Sequence, residues 1–140
     1  MKRVLLLASV LFSICVPGIV AEALAQASSD AKAIVGTWKA VEGLYSDGTA
    51  ETEIGMSLTF TAATMTDPMS KTGEAYAYKL DAKSKVISIK NDKLEMKIAY
   101  KFKDAETLVL TELTVVKNGK TTSIIGKGAS AMFVSLAFKK

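Results

Sequence analysis

Between Leu94 and Lys103 apolar and polar residues alternate without a break. Leu94, Met96, Ile98, Tyr100 and Phe102 hold one set of positions, and Glu95, Lys97, Ala99, Lys101 and Lys103 hold the other. A period of two sends successive side chains to opposite faces of an extended chain, so this run predicts a strand with one apolar and one solvated face. The period recurs. Ile34, Gly36, Trp38 and Ala40 alternate with Val35, Thr37, Lys39 and Val41; Met56, Leu58 and Phe60 alternate with Ser57, Thr59 and Thr61. Tyr76, Tyr78 and Leu80 follow, then runs from Val86 to Ile89, Leu108 to Val116, Thr121 to Ile125 and Met132 to Phe138.

Turn chemistry separates these runs. Ser46-Asp47-Gly48-Thr49 and Lys90-Asn91-Asp92-Lys93 supply residues that tolerate tight backbone. Asp67-Pro68 should stop the second strand, because proline has no N–H for a ladder. Asn118-Gly119 predicts a type I′ hairpin, which needs positive φ at both central residues. Beyond one short turn near the start, no helical period is long enough to serve as a parallel crossover, so each strand should pair with its predecessor. One-faced strands in a meander are best satisfied by closing the sheet, which removes both edges. The expected fold is therefore all-β: an eight-stranded up-and-down antiparallel β-barrel over residues 34–140, just wide enough to be filled by side chains or to hold one small ligand.

The residues before it read differently. Met1-Lys2-Arg3 precedes an apolar run from Val4 to Val16, which Pro17-Gly18 breaks before small residues at Ala21, Ala23, Ala25 and Ala27. This is the pattern of a secretory signal peptide over residues 1–25, removed near Ala25, with cleavage after Ala23 or Ala27 as alternatives. The protein is then secreted or periplasmic. Residues 26–33 become a linker or a short helical turn capped by Ser28 or Ser29. Ile14 stands where a small residue would precede a lipidated cysteine, so anchoring through Cys15 is not expected. Loss of Cys15 leaves no cysteine, and the fold must be held by its core alone.

Histidine is absent, and the only arginine is Arg3 in the leader. That removes ordinary zinc ligation, Ser-His and Cys-His nucleophile pairs, and the arginine fork that reads phosphate, carboxylate or guanine. No metal, cofactor, catalytic residue or nucleic-acid partner is expected. Glu51 and Glu53 lack the contrasting surroundings that split two acids into acid and base. Ser29-x-x-Lys32 has no helical domain behind it. The net charge of +4 is unevenly spread. Glu42, Asp47, Glu51, Glu53, Asp67 and Glu74 face only Lys71, whereas lysines 79, 83, 85, 90, 93, 97, 101 and 103 face Asp81, Asp92 and Glu95. A solvated outer surface accounts for this; a basic flank that attracts anionic head groups or acidic partners is the sharper alternative. Aromatic residues are too few for the two girdles of an outer-membrane barrel, so the mature chain is not expected to span a membrane.

Gly36-x-Trp38 on the first strand of such a meander resembles the lipocalin pattern. Val35 to Lys39 and Asp104-Ala105-Glu106-Thr107-Leu108-Val109-Leu110 are similar to the opening strand and a late run of small bacterial lipocalin-like domains. The resemblance covers Ile34 to Lys140. It implies a calycin-like barrel binding a small hydrophobic ligand such as a fatty acid, with Trp38 as a structural plug and Gly36 beside it. Lipocalins usually lay a late arginine across that tryptophan; here Lys139 or Lys140 would have to supply the cation. On the apolar faces, Tyr76, Tyr78, Met96, Tyr100, Leu110 and Met132 are the candidates for a cavity wall, since tyrosine and methionine adapt to irregular ligands. The alternative function is a secreted protein–protein interaction module, a hydrolase-inhibitor-like barrel acting through the loops near Asp47 to Glu53 or Lys117 to Lys120.

Overall fold

The alternating runs become strands of one antiparallel sheet. The computed structural model describes residues 29–66 and 72–140; the expected leader, Cys15 and the Asp67-Pro68 stop lie outside them. A short helix, α1, covers residues 29–34. The strands are β1 (Gly36–Leu44), β2 (Ala50–Glu51), β3 (Ser57–Phe60), β4 (Thr64–Thr66), β5 (Ala75–Ala77) and β6 (Lys79–Asp81). They continue as β7 (Val86–Lys90), β8 (Glu95–Asp104), β9 (Thr107–Lys117), β10 (Lys120–Ile125) and β11 (Ser135–Lys139).

Nine of them follow the order β5-β4-β3-β1-β11-β9-β8-β7-β6 and curl into a nearly closed barrel. The two ends of that path, β5 and β6, are separated only by Tyr78. One extended run therefore pairs with β4 through its first half and with β7 through its second. The ring has eight positions, composed differently from the expectation. Thr64-Met65-Thr66 adds β4, too short to show a period. The last position is shared: β9 pairs with β11 through Thr107–Leu110 and with β10 through Leu113–Lys117. Residues 126–132 loop out between them above a parallel bridge from Ile125 to Phe133.

The turns follow their chemistry. Asn118 and Gly119 have φ of 53° and 73°, as a type I′ hairpin requires. Asp47, Asp81 and Asp104 each accept a backbone N–H from two residues on. Hydrogen bonds from Thr49, Ser84 and Glu106 respectively hold these three carboxyls below their ordinary range.

One end of the barrel is capped by α1. The strand expected from Ile34 begins at Gly36 instead, because Ile34 completes the helix. The last carbonyls of a helix have no partner within it. Here Trp38 Nε1 donates to the Ile34 carbonyl at 2.7 Å, and Lys140 Nζ donates to the Ala33 carbonyl at 3.0 Å. The same ammonium lies 4.9 Å from the indole centroid. Trp38 is fully buried, and Lys140 rather than Lys139 is the cation across it. A positive charge also suits a helix C-terminus. Gly36 makes room: its φ is +137°, and a Cβ there would sit 2.5 Å from Lys140 Cε.

Gly36→Ala should cost about 1–3 kcal/mol through its positive φ, and Lys140→Ala about 1 kcal/mol through the lost hydrogen bond and ring contact. Urea unfolding followed by Trp38 fluorescence checks both. The double variant should lose less than the sum, since removing the Lys140 side chain also removes the crowding at residue 36.

Candidate functional site

The residues expected to line a cavity are distributed over both ends of the barrel. Tyr100 belongs to the capped end. It is 2% exposed, and its hydroxyl donates to Asp30 Oδ2 at 2.6 Å. Lys85 Nζ donates to the same oxygen at 2.6 Å. Asp30, on α1, is itself buried. Burial first, and then the Asp30 hydrogen bond and charge with a contribution from Asp81, push the Tyr100 hydroxyl well above its ordinary range. Tyr100 also meets Phe102 edge-on, and Phe102 lies 6.1 Å from Trp38, so this end is packed with side chains. Leu110 is buried in mid-barrel between Tyr100 and Leu136.

Met132 is a correction. It is 62% exposed on the loop between β10 and β11, outside the wall. Phe133 is buried in its place, packed at a tilt 4.9 Å from Tyr45, and the missing side chain of Gly43 lets the Phe133 ring approach. Ser46, Lys127, Met132 and Phe133 border an open hollow of about 560 Å³ there.

Tyr76, Tyr78 and Met96 stand in the other half of the barrel. Met96 pairs with Ile89 and is buried; Tyr76 and Tyr78 are half-buried against the core. Here the wall has a seam. β6 stops pairing with β7 at Ser88, and β5 pairs only with β4, so Ile89 and Lys90 have no strand partner on that side. The cause is Tyr78. Its N–H donates to the Ala63 carbonyl at 3.3 Å and its hydroxyl to the Thr61 carbonyl at 2.9 Å, while its ring packs edge-on against Phe60 at 5.5 Å. Fastened to the β3–β4 turn, Tyr78 carries β5 away from β7. Burial raises its hydroxyl above the ordinary tyrosine range.

The seam opens as a groove of about 470 Å³. It is lined by Ala77, the half-buried Tyr78, Lys79, Ser88, Lys90, Glu95 and Lys97, with Ile89 turned to the core beneath them. Such a groove can hold a small molecule against Tyr78 with lysine cations beside it. Among the described residues no group of three His, Cys, Asp or Glu is placed to hold a metal ion, and no helix is long and apolar enough to cross a membrane. Comparison with protein families, curated proteins and solved structures finds no match to this chain.

Asp30, Lys85, Ala77 and Ile89 were not singled out by sequence. Asp30 is one acid in a polar stretch, and its partners lie 55 and 70 residues away. Ile89 carried a signal, as the last apolar residue of Val86 to Ile89, but nothing in the run marks a strand that loses its neighbour.

Tyr100→Phe should destabilise the fold by about 1.5–3 kcal/mol, the usual range for a hydrogen bond to a charged group. The wild type should also lose stability as pH rises beyond about 10, where an unfolded tyrosine ionises and the folded one does not. Below that pH the contribution is fully present. Thermal melts against pH should show the alkaline decline in the wild type and a shallower one in Tyr100→Phe.

Proposed function

We propose that this is an exported, lipocalin-like binding protein that takes a small apolar ligand through the seam between β5 and β7. The observation that carries the proposal is the groove itself. Its wall includes the half-buried Tyr78, whose ring packs on Phe60 of the core, and its volume of about 470 Å³ falls within the range that small-molecule sites occupy. Each methylene removed from water there would contribute about 0.8 kcal/mol. The capped end, filled by Trp38, Phe102 and Tyr100, leaves the opposite half of the barrel as the place for a ligand. The signal-peptide pattern over residues 1–25 supports a secreted or periplasmic setting.

A second function rests on a different feature. Met132 is a large exposed apolar side chain beside the Ser46 hollow, as expected of a barrel that docks a protein through its loops. Met132→Glu would weaken such docking and leave the groove untouched.

Titration with a fluorescent naphthylamine probe should give saturable, single-site binding. Ala77→Trp, an exposed edge residue enlarged across the groove, should reduce that binding at least about tenfold without lowering stability. Unsaturable probe binding, or binding unaffected by Ala77→Trp, would remove the groove from consideration.

A further inference from the structure

We infer that the free edge of β10 takes an acidic, extended segment of a partner protein as an added strand; this rests on the barrel docking a protein through its loops beside Met132. β10 lies off the ring path and pairs with β9 alone. Lys117 and Lys120 pair across the Asn118-Gly119 turn, and hydrogen-bonded pairs alternate along an antiparallel ladder. Lys120 and Thr122 therefore turn their backbone groups to β9, and Thr121 and Ser123 turn theirs away. Among the described residues nothing pairs with that outer edge until Ile124, whose carbonyl accepts the Met132 N–H at 3.0 Å and the Phe133 N–H at 3.3 Å. Phe133 then lies parallel beside Ile125. The position next to β10 is thus filled beside Ile124 and Ile125 and empty beside Thr121 and Ser123. Met132 stands at the boundary, 62% exposed, on the border of the Ser46 hollow.

Charge selects the occupant. From Leu113 to Lys140 the sequence carries five lysines and no acid. Lys117, Lys120 and Lys127 are exposed at this end, and among the described residues none of them is in an ion pair. A second copy docking edge to edge would bring two such sets of lysines together. Lysine on an edge strand guards against that kind of self-association, whereas an acidic partner meets the same charge as an attraction. Main-chain bonds to Thr121 and Ser123 supply affinity with little demand on the partner's sequence. Thr121 and Thr122 are exposed and β-branched, so the edge already holds the extended backbone that an added strand needs. An apolar residue at the end of that strand nearest Ile124 would meet Met132.

Fluorescence anisotropy of the full chain with a fluorescein-labelled peptide of alternating glutamate and valine, set against its lysine–valine counterpart, tests this. The acidic peptide should bind saturably and about tenfold more tightly than the basic one, and the preference should shrink as salt screens the lysines. Thr121→Pro removes an outward N–H that β9 does not use, a substitution that an edge strand tolerates. It should weaken binding about tenfold through the lost hydrogen bond and leave the thermal melt in place; Thr121→Val, which keeps the N–H, should bind as the wild type does. Lys117→Ala combined with Lys120→Ala should remove the preference for the acidic peptide, and Lys103→Ala, at the far end of β8, should change nothing. Binding reduced by Met132→Glu but untouched by Thr121→Pro would overturn the added strand while leaving docking at the loop. Equal binding of the two peptides would overturn the choice of an acidic partner, and no binding of either would overturn the inference as a whole. A concentration-dependent dimer in sedimentation, lost in Thr121→Pro, would give the edge to a second copy and overturn it as well.

Discussion

The barrel closes because one strand serves two neighbours. Residues 75–81 form a single extended run, and a strand can offer hydrogen bonds on both edges along its whole length. This run does not. Its first half uses one edge for β4 and its second half the other for β7. Tyr78, at the change-over, is held to the β3–β4 turn by its N–H, its hydroxyl and its ring. The ring is complete at the capped end and parted at the other. Where the hydrogen bonds stop, a groove opens beside Tyr78, and it follows from the same constraint that gives the fold its closure.

The capped end is held in the opposite manner, with polar groups brought inside and satisfied. Two terminal carbonyls of α1 are met by the Trp38 indole and the Lys140 ammonium. The buried Asp30 carboxylate is met by Tyr100 and Lys85. Such pairs contribute little net stability once desolvation is counted, but leaving one half unmet is costly, so they fix the helix in a single position on the barrel. Residues from α1, β1, β8, the β6–β7 turn and the position just beyond β11 are joined there. The barrel thus has one fixed end and one end where the wall is open.

Much of this was legible in the sequence, for a physical reason. Alternation reports which face is buried, and Met96, Ile98 and Tyr100 are buried as it predicts. Asn118-Gly119 reports its own backbone angles. The plug at Trp38 and a late lysine across it were also foreseen, the sequence leaving Lys139 and Lys140 as equals. Alternation failed where the strand is irregular. Phe133 and Leu136 are both buried although three apart, which a strict period of two forbids, and Met132 was placed on the wrong face as a result. β10 and β11 looked like two ring strands because pairing partners do not appear in a local pattern. The seam was illegible for the same reason, and Asp30 because its burial depends on side chains far along the chain.

A ligand held at the groove between β5 and β7 should leave a local signature in solution. Backbone amide chemical-shift mapping of the labelled protein during addition of dodecanoate tests it most directly. Saturable shifts should be concentrated at Ala77 to Lys79, Ser88 to Lys90 and Lys97, with α1 and the loop at 126–132 quiet. Shifts confined to Ser46 and that loop, or none below the micellar concentration, would contradict it.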